Sequence, residues 1–308
     1  MNFTFGIDVG GTNIKLGLFS VDPFEMIEKN EIATPRHEQR SSIFVAIVEQ
    51  VTLMMKKHSL EYSQIEGIGL AVPCPVKNGY ISVCPNLHWK DVNVVESLSR
   101  YLPFSMRVVV SNDANIAAYG ENHSLSHPYN NAIFYTLGTG VGGGIIVNGQ
   151  IVEGRTGSGG EIGHMPVFEG TEMCGCEKTG CLEQACGTKA ILDYAKLLSQ
   201  KHESIIDFRN ISVKSVFDAA KDNDPVGLMV LDRVAYYLAR SASILSVSLD
   251  PDIIIIGGGV ARVGQILIDR IVSHYQTEAR FGTVDVPFIL ARTGNDAGII
   301  GAAKYAKK

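Results

Sequence analysis

His164, Cys174, Cys176 and Cys181 lie within eighteen positions of one another, a Cys-x-Cys pair being followed five residues on by a third cysteine. Three thiolates and an imidazole are a common tetrahedral zinc set, because both donor types suit a borderline-soft dication. Four protein ligands close the coordination sphere, so the spacing predicts a structural ion with no open position for water. Two carboxylates, Glu161 and Glu183, bracket the cluster, and a zinc clamp would hold them in a fixed relation across the intervening loop. Plainer roles exist for each residue alone. Cysteine is often a small buried hydrophobe, and a single histidine is usually structural. Ser158-Gly159-Gly160-Glu161 also fits a capping box. Pro166 and the surrounding glycines, however, leave little helix there to cap, and the four ligands as a set favour the metal. Cys74, Cys84 and Cys186 fall outside the spacing and are not expected to be ligands.

A second group of residues is suited to anions. Three glycine turns, Gly10-Gly11-Thr12, Gly138 through Gly144, and Gly257-Gly258-Gly259, each follow a strand-like run. Glycine lets the backbone come close to a phosphate, and successive N–H groups form a concave anion site. Thr12 and Thr139 add hydroxyl donors. One such turn alone is ordinarily a tight hairpin; three in one chain, two bearing Thr, are harder to dismiss. Gly138, Gly140 and Gly143 also satisfy GxGxxG, but Ile145-Ile146-Val147 reads as a strand where the dinucleotide fingerprint needs a helix. Ser111-Asn112-Asp113 stands where a strand gives way to a helix, which is where α/β sheets bind ligands. Asp113 as a helix N-cap, worth about 1 kcal/mol, fits the same place. Asp8 presents a carboxylate just before the first turn, where Mg2+ would sit. Phosphate cradles, a metal carboxylate and a base on an acceptor hydroxyl are the parts of a phosphoryl transfer. Asn112, Glu161 and Glu183 supply acceptors for sugar hydroxyls. Together these parts predict phosphate transfer from a nucleotide to a polyol.

The elements that carry these residues follow from periodicity. Phe3–Val9 alternates like a strand, and Lys15–Phe19 returns as the second arm of a hairpin. Ser42–His58 has helical apolar spacing. Ile65–Val72 is a strand ending at Pro73-Cys74-Pro75, Asn86–Trp89 a loop, and Arg107–Val110 a strand before a helix opened by Asn112-Asp113. The pattern restarts at Asn131: strand Ala132–Leu137, a turn over Gly138–Gly144, return strand Ile145–Val147. That repeat points to two lobes of like design. Helices follow the zinc stretch, the longest from Pro225 to about Leu249. Then come strand Ile253–Ile256, helix Val263–Tyr275, strand Val286–Ala291 and a closing helix. At 308 residues the chain is long for one core. It is 45% hydrophobic and 19% charged, as ordinary globular proteins are. A net charge of −5 with no basic run argues against nucleic acid. The longest apolar strand is too short to span a bilayer, and the start lacks the regions of a signal peptide. Six cysteines with a metal-like cluster point to a reducing cytosol, not a disulfide framework. A cytoplasmic protein is expected.

Asp8-Val9-Gly10-Gly11-Thr12, Asn112-Asp113, Leu137–Gly144, Gly160-Glu161-Ile162-Gly163-His164 and Cys174–Glu183 resemble the bacterial ROK sugar kinases, most of all the glucokinases among them, from Phe5 to Ala303. The resemblance implies a two-lobed actin/hexokinase-like (ribonuclease H-like) ATPase fold of α/β lobes, with ATP in the cleft. The smaller lobe would be 1–113 plus a closing helix over 296–308, and the larger 114–295 with the zinc loop. It makes Asp113 the base on the sugar 6-hydroxyl, and Asn112, Glu161, His164 and Glu183 sugar contacts, joined by Asn86. Asp8, Gly10, Gly11, Thr12, Lys15, Gly138, Thr139 and Gly140 would serve Mg2+ and the phosphates, and Gly258-Gly259 the adenosine side. His164 would ligate zinc through one ring nitrogen and free the other for the sugar or a supporting partner. A homodimer is implied too. Cys74 departs from the glycine usual in the family, and Glu177 likewise. The family's repressors carry a DNA-binding domain before the first phosphate turn, which here starts at Asp8, so an enzyme is expected. The expected acceptor is glucose, with allose, fructose, mannose or an N-acetylhexosamine as rivals. A non-catalytic sugar-sensing regulator is the reading of another class, disfavoured by the intact Asp113.

Overall fold

Phe3–Val9 (β1) is apolar on both faces and accordingly lies inside a sheet, with Phe5 and Ile7 fully buried. The computed structural model describes residues 1–35 and 41–307. Positions 36–40 lie outside the described residues, as does Lys308, the last residue of the expected closing helix. β1 pairs antiparallel with Asn13–Ser20 (β2), setting Asp8 opposite Lys15. Glu25–Ala33 (β3) adds to β2. Ser41–Lys57 (α1) turns Ile43, Phe44, Ile47, Val51, Met54 and Met55 into the core that also holds Ile7 and Leu70. Ile65–Val72 (β4) lies parallel to β1, and Val108–Asn112 (β7) parallel to β4, so the sheet order is β3-β2-β1-β4-β7.

Between β4 and β7 come a two-stranded hairpin, Tyr80–Cys84 (β5) with Trp89–Asn93 (β6), and Val94–Ser99 (α2). Trp89, expected in a loop, begins β6. It is 2% exposed and stacks on Phe44 with ring centroids 5.2 Å apart, so burial of the largest side chain draws the segment into the core. β7 runs to Asn112, and Asp113–Asn122 (α3) follows directly. The closing helix Ala297–Ala306 packs Ile299 and Ala303 on Phe19, and Ala302 on Ala71 and Ile116.

A second unit repeats the plan. Ala132–Leu137 (β8) pairs antiparallel with Val141–Val147 (β9), followed by Gln150–Ile151 (β10). The glycine turn is therefore shorter than expected: Gly142, Gly143 and Gly144 pair with Thr136, Tyr135 and Phe134 inside the ladder, which needs only their backbone. Helices follow at Glu183–Cys186 (α4), Thr188–Leu198 (α5), Val213–Lys221 (α6) and Pro225–Leu249 (α7), the last as expected. Ile253–Gly257 (β11) is parallel to β8. The helix expected from Val263 instead begins at Gln265 and runs to Glu278 (α8), because Gly264 at φ +90° separates it from a 3-10 turn over Val260–Val263. Phe288–Leu290 (β12) is shorter than the strand expected over Val286–Ala291. The closing helix is α9. The order is β10-β9-β8-β11-β12, and from β9 to β12 the strand directions match those from β2 to β7 in the first sheet.

The contact-dense units are Met1–Pro128 with Ile151–Gly159 and Asn295–Lys308, and Tyr129–Gln150 with Gly160–Gly294. α3 and residues 151–159 group with the first unit, where the sequence reading drew its boundary after Asp113. One reason is that Ile116 of α3 packs on Ala302 of α9. Cys74 and Cys84 are joined by a disulfide, which corrects the expectation that the chain's cysteines are all reduced or metal-bound. Among the described residues no helix is long and apolar enough to cross a membrane.

Candidate active site and metal centre

The carboxyl ends of the parallel strands β1, β4 and β7 form one edge of the first sheet, and three expected site segments arrive there. Asp8 stands opposite Ala71, and Val72 opposite Asn112. Asn112 is the N-cap of α3: its Oδ1 accepts from Ala114 N at 2.9 Å and from Asn115 N at 3.1 Å. The capping role weighed for Asp113 thus falls to its neighbour. Asp113 is the first helical residue, and its Oδ1 accepts from Ala114 N at 2.8 Å. Burial raises the Asp8 pKa above the ordinary carboxylate value, against the opposing pull of Lys15 and with further lift from Glu31. A buried carboxylate of this kind gains from a cation. Lys15 donates to Asn295 O at 3.3 Å. The first glycine turn is fastened from outside its own segment: Thr34 Oγ1 donates to Gly10 O at 2.7 Å, and Thr34 N to Thr12 O at 2.8 Å. Asn86 is the middle of a 3-10 turn, Pro85–Leu87, between β5 and β6.

In the second unit, Gly138, Thr139 and Gly140 form the link between β8 and β9, closed by Gly138 N donating to Gly140 O at 2.9 Å. Thr188, at the start of α5, holds the turn through its Oγ1 on Gly138 O at 2.8 Å and its N on the same oxygen at 3.0 Å. The third turn lies beside it. Gly258 has φ +84°, and a Cβ there would overlap the Leu137 backbone, so only glycine lets the end of β11 close up on the end of β8.

The metal set assembles in this same unit. The ligand atoms of His164, Cys174, Cys176 and Cys181 all lie within 4.8 Å of one another. Cys174 Sγ is 3.5 Å from His164 Nδ1, and Cys176 Sγ is 3.5 Å from Cys181 Sγ. Around a tetrahedral zinc, with bonds of about 2.0–2.3 Å, neighbouring ligand atoms stand roughly 3.5–3.8 Å apart. The four residues therefore fit the ion. Burial first, and then Cys176 and Cys174, push the Cys181 thiol up to about 12; a dication reverses that preference by binding the thiolate. Cys186 stands apart, its Sγ facing Val234 O at 3.6 Å.

Both flanking carboxylates touch the cluster. Glu161 Oε2 is 4.0 Å from His164 Nε2, the nitrogen turned away from Cys174. No helix starts after Ser158: Gly159 and Gly160 are turn residues and a single 3-10 turn begins only at Ile162, beyond Glu161, so the capping-box reading falls. Glu183 reaches in two directions. Its Oε1 is 3.7 Å from Cys174 Sγ, while its Oε2 accepts from Val141 N at 3.1 Å, just past the glycine turn. A Cβ on Gly140 would overlap that oxygen, so the carboxylate lies directly on the turn.

The expected residues thus gather in two sets. Asp8, Gly10, Gly11, Thr12, Lys15, Asn86, Asn112 and Asp113 belong to the first unit, and Gly138, Thr139, Gly140, Glu161, His164, Cys174, Cys176, Cys181, Glu183, Gly258 and Gly259 to the second. Sequence reasoning missed the residues that brace them. Thr34 and Thr188 lie far in sequence from the turns they hold, and no spacing rule connects them. Asn115, one helical turn into α3, donates to Gly159 O at 3.1 Å, while its buried Oδ1 has no hydrogen-bond partner. Glu153 takes Ser111 Oγ at 3.5 Å and pairs with Lys77 at 3.6 Å.

Comparisons with known proteins agree along the whole chain. A glucokinase of Halalkalibacterium halodurans is 36% identical, the match covering 98% of this chain and 94% of the relative. An N-acetylmannosamine kinase of Vibrio cholerae serotype O1 is 31% identical, covering 99% of each. The crystal structure of a ROK family glucokinase from Streptomyces griseus, in complex with glucose and AMPPNP, superposes with a TM-score of 0.76 at 28% identity, covering 99% of each chain. The fold is the two-lobed actin/hexokinase-like one of these kinases. The ROK family model matches residues 4–308, and with the sheet order, the turns and the ligand cluster in place, the chain belongs to the ROK family.

Proposed function

We propose that this chain is an ATP-dependent hexose kinase that phosphorylates the 6-hydroxyl, with glucose as its preferred acceptor. The relatives support an ATP-dependent sugar kinase. The observation that carries the reading is the edge of the first sheet, where Asp8 and the Asn112-Asp113 pair stand at the carboxyl ends of the parallel strands β1 and β7, on either side of β4. Asp113 is the base that takes the proton of the hydroxyl as its oxygen attacks the γ-phosphorus and the bond from that phosphorus to the β,γ-bridging oxygen breaks, ADP leaving. Asn112 is spent through its Oδ1 on the cap and through one amide N–H on Cys74 O, which leaves its second amide N–H to the sugar side and fixes the backbone from which Asp113 projects. Asp8 would hold Mg2+, which would neutralise phosphate charge, and Lys15 adds a cation beside it. The Gly10–Thr12 and Gly138–Gly140 turns offer backbone N–H groups and the Thr12 and Thr139 hydroxyls to the phosphates. Gly258, packed on Leu137, and Gly259 beside it form the turn that faces the adenosine side. His164, Cys174, Cys176 and Cys181 would hold zinc as a structural ion, outside the reaction. Held so, the loop would fix Glu161 and Glu183, which with Asn86 and the His164 ring orient the sugar. A cytoplasmic homodimer belongs to the same reading.

The N-acetylmannosamine kinase relative, at 31% identity, favours a second acceptor class. A coupled ADP-release assay over glucose, allose, mannose, fructose and N-acetylmannosamine separates the two. Glucose is expected to give the highest kcat/KM. Another sugar about tenfold above it, the discrimination one or two pocket contacts supply, overturns glucose and leaves the mechanism; ADP release with no sugar overturns the kinase reading.

A further inference from the structure

Cys74 and Cys84 are bonded to one another, their Cα atoms 5.2 Å apart, and both are buried. Cys74 lies two residues beyond the end of β4, and its carbonyl accepts from Asn112 Nδ2 at 3.5 Å. Cys84 ends β5 and leads directly into the Pro85–Leu87 turn whose middle residue is Asn86. The Asn86 carbonyl stands against the first phosphate turn, where a Cβ on Gly11 would come within 3.1 Å of it. The bond therefore connects the backbone that receives Asn112 to the backbone that presents Asn86. Among the described residues strand pairing supplies no such connection: the ladder of β5 is with β6, outside the five-stranded sheet, and its one further bridge, Tyr80 to Lys77, is local.

Losing the bond would loosen this junction without unfolding it. The hairpin keeps the Cys84–Trp89 pairing, and Ile81, Trp89 and Val92 remain in the core. The Gly10–Thr12 turn has its own fastening in Thr34, and α3 keeps its Asn112 cap. What goes is the fixed relation between Asn86 and Asn112.

We propose that the Cys74–Cys84 disulfide is a redox-sensitive positioning element of the sugar side: formed, it holds Asn86 and Asn112 in register, and opened, it weakens sugar binding while turnover at Asp113 persists. This rests on the assignment of both asparagines to the sugar. In the cell the co-reactant is a protein dithiol. Its thiolate attacks one sulfur and forms a mixed disulfide, and its second thiol displaces that sulfur. The dithiol closes to a disulfide while Cys74 and Cys84 receive two electrons and two protons. In the test a water-soluble phosphine serves, its phosphorus taking oxygen from water to give the phosphine oxide and two protein thiols.

The experiment uses the full-length, metal-loaded protein, equilibrated in an oxidising glutathione buffer and then incubated with phosphine. Alkylation and peptide mass read the state of Cys74 and Cys84, and elemental analysis reads zinc in the same samples. On reduction at unchanged zinc content, the KM for glucose should rise about fivefold, the scale of one weakened hydrogen bond, with kcat and the KM for ATP changing by less than about twofold. The double variant Cys74→Ser/Cys84→Ser should show the higher KM in both buffers. Should it fail to fold, the reduced wild-type protein carries the same comparison. Three results overturn the proposal: both thiols free after the oxidising buffer, a bond that phosphine does not open in the folded protein, or an opened bond with an unchanged glucose KM. Asn112→Ala distinguishes the two levels. If it leaves the glucose KM unchanged, the sugar assignment fails; if it raises the KM and reduction does not, only the disulfide's role fails.

Discussion

Asn112 caps α3, so Asp113 is not the cap but the first helical residue, with its Oδ1 accepting from Ala114 N. In the proposed mechanism that position makes it the base. Asp113→Asn should therefore fold normally, bind sugar, and lose turnover by about 10²–10⁴-fold. Calorimetric sugar binding beside a coupled assay checks this, and a variant keeping more than about a tenth of wild-type turnover with chemistry rate-limiting would remove Asp113 as the base. Asn112→Ala should behave differently, lowering stability by about 1 kcal/mol through the lost cap; a urea melt with no shift of midpoint would contradict the cap. At this scale much of the site was legible in the sequence. The Cys-x-Cys spacing led to four ligand atoms within 4.8 Å, and the strand-to-helix step led to Asn112-Asp113. The disulfide was not legible, because two cysteines ten residues apart carry no sign of how a hairpin will fold back on a sheet edge.

The elements around the two glycine turns assigned to phosphate are tied from a distance. Thr34 holds Gly10, and Thr188 holds Gly138, each through a hydroxyl on the carbonyl that begins the turn. Thr188→Val keeps the shape and deletes the hydroxyl. It should raise the KM for ATP by roughly two- to tenfold, the span of a net hydrogen bond of about 0.5–1.5 kcal/mol, and leave the sugar KM alone. Steady-state kinetics with each substrate varied would show it, and an equal rise in both constants would mean the turn is not a nucleotide element. Periodicity located most strands and helices here, and it failed where side chains do not report the backbone. Gly142–Gly144 look like a turn and are ladder residues. β3 was not anticipated, because Glu25, Glu28, Lys29 and Glu31 place charges along a strand that a sheet edge accommodates in solvent. The start of α8 was displaced by Gly264, whose positive φ no apolar pattern records.

Across the whole molecule, two sheets of the same order, with strand directions that match between β2 to β7 and β9 to β12, account for the repeated strand, glycine turn, strand motif that the sequence shows twice. Helix α7 was legible from its length and helical apolar spacing, and β11 because burial of every residue leaves an unbroken apolar run; the bracing by Thr188 and Glu183 was not, since it joins segments dozens of residues apart. The metal cluster should matter at this scale. Cys176→Ser should lose zinc and activity together, and active protein found free of zinc by elemental analysis would sink the clamp. Glu183 carries the consequence furthest. One of its oxygens lies beside a metal ligand and the other accepts the backbone hydrogen bond next to a phosphate turn. A group so shared makes the occupancies of the two places a single thermodynamic cycle: whatever factor zinc adds to nucleotide affinity, nucleotide must add to zinc retention. A non-hydrolysable ATP analogue should thus lower the equilibrium share of zinc that a competing chelator can remove, by about fivefold at the weak end of such couplings. In Glu183→Gln, where the charge facing the cluster is gone, that protection should shrink, and the cell's nucleotide level would no longer help to decide how firmly this protein keeps its metal.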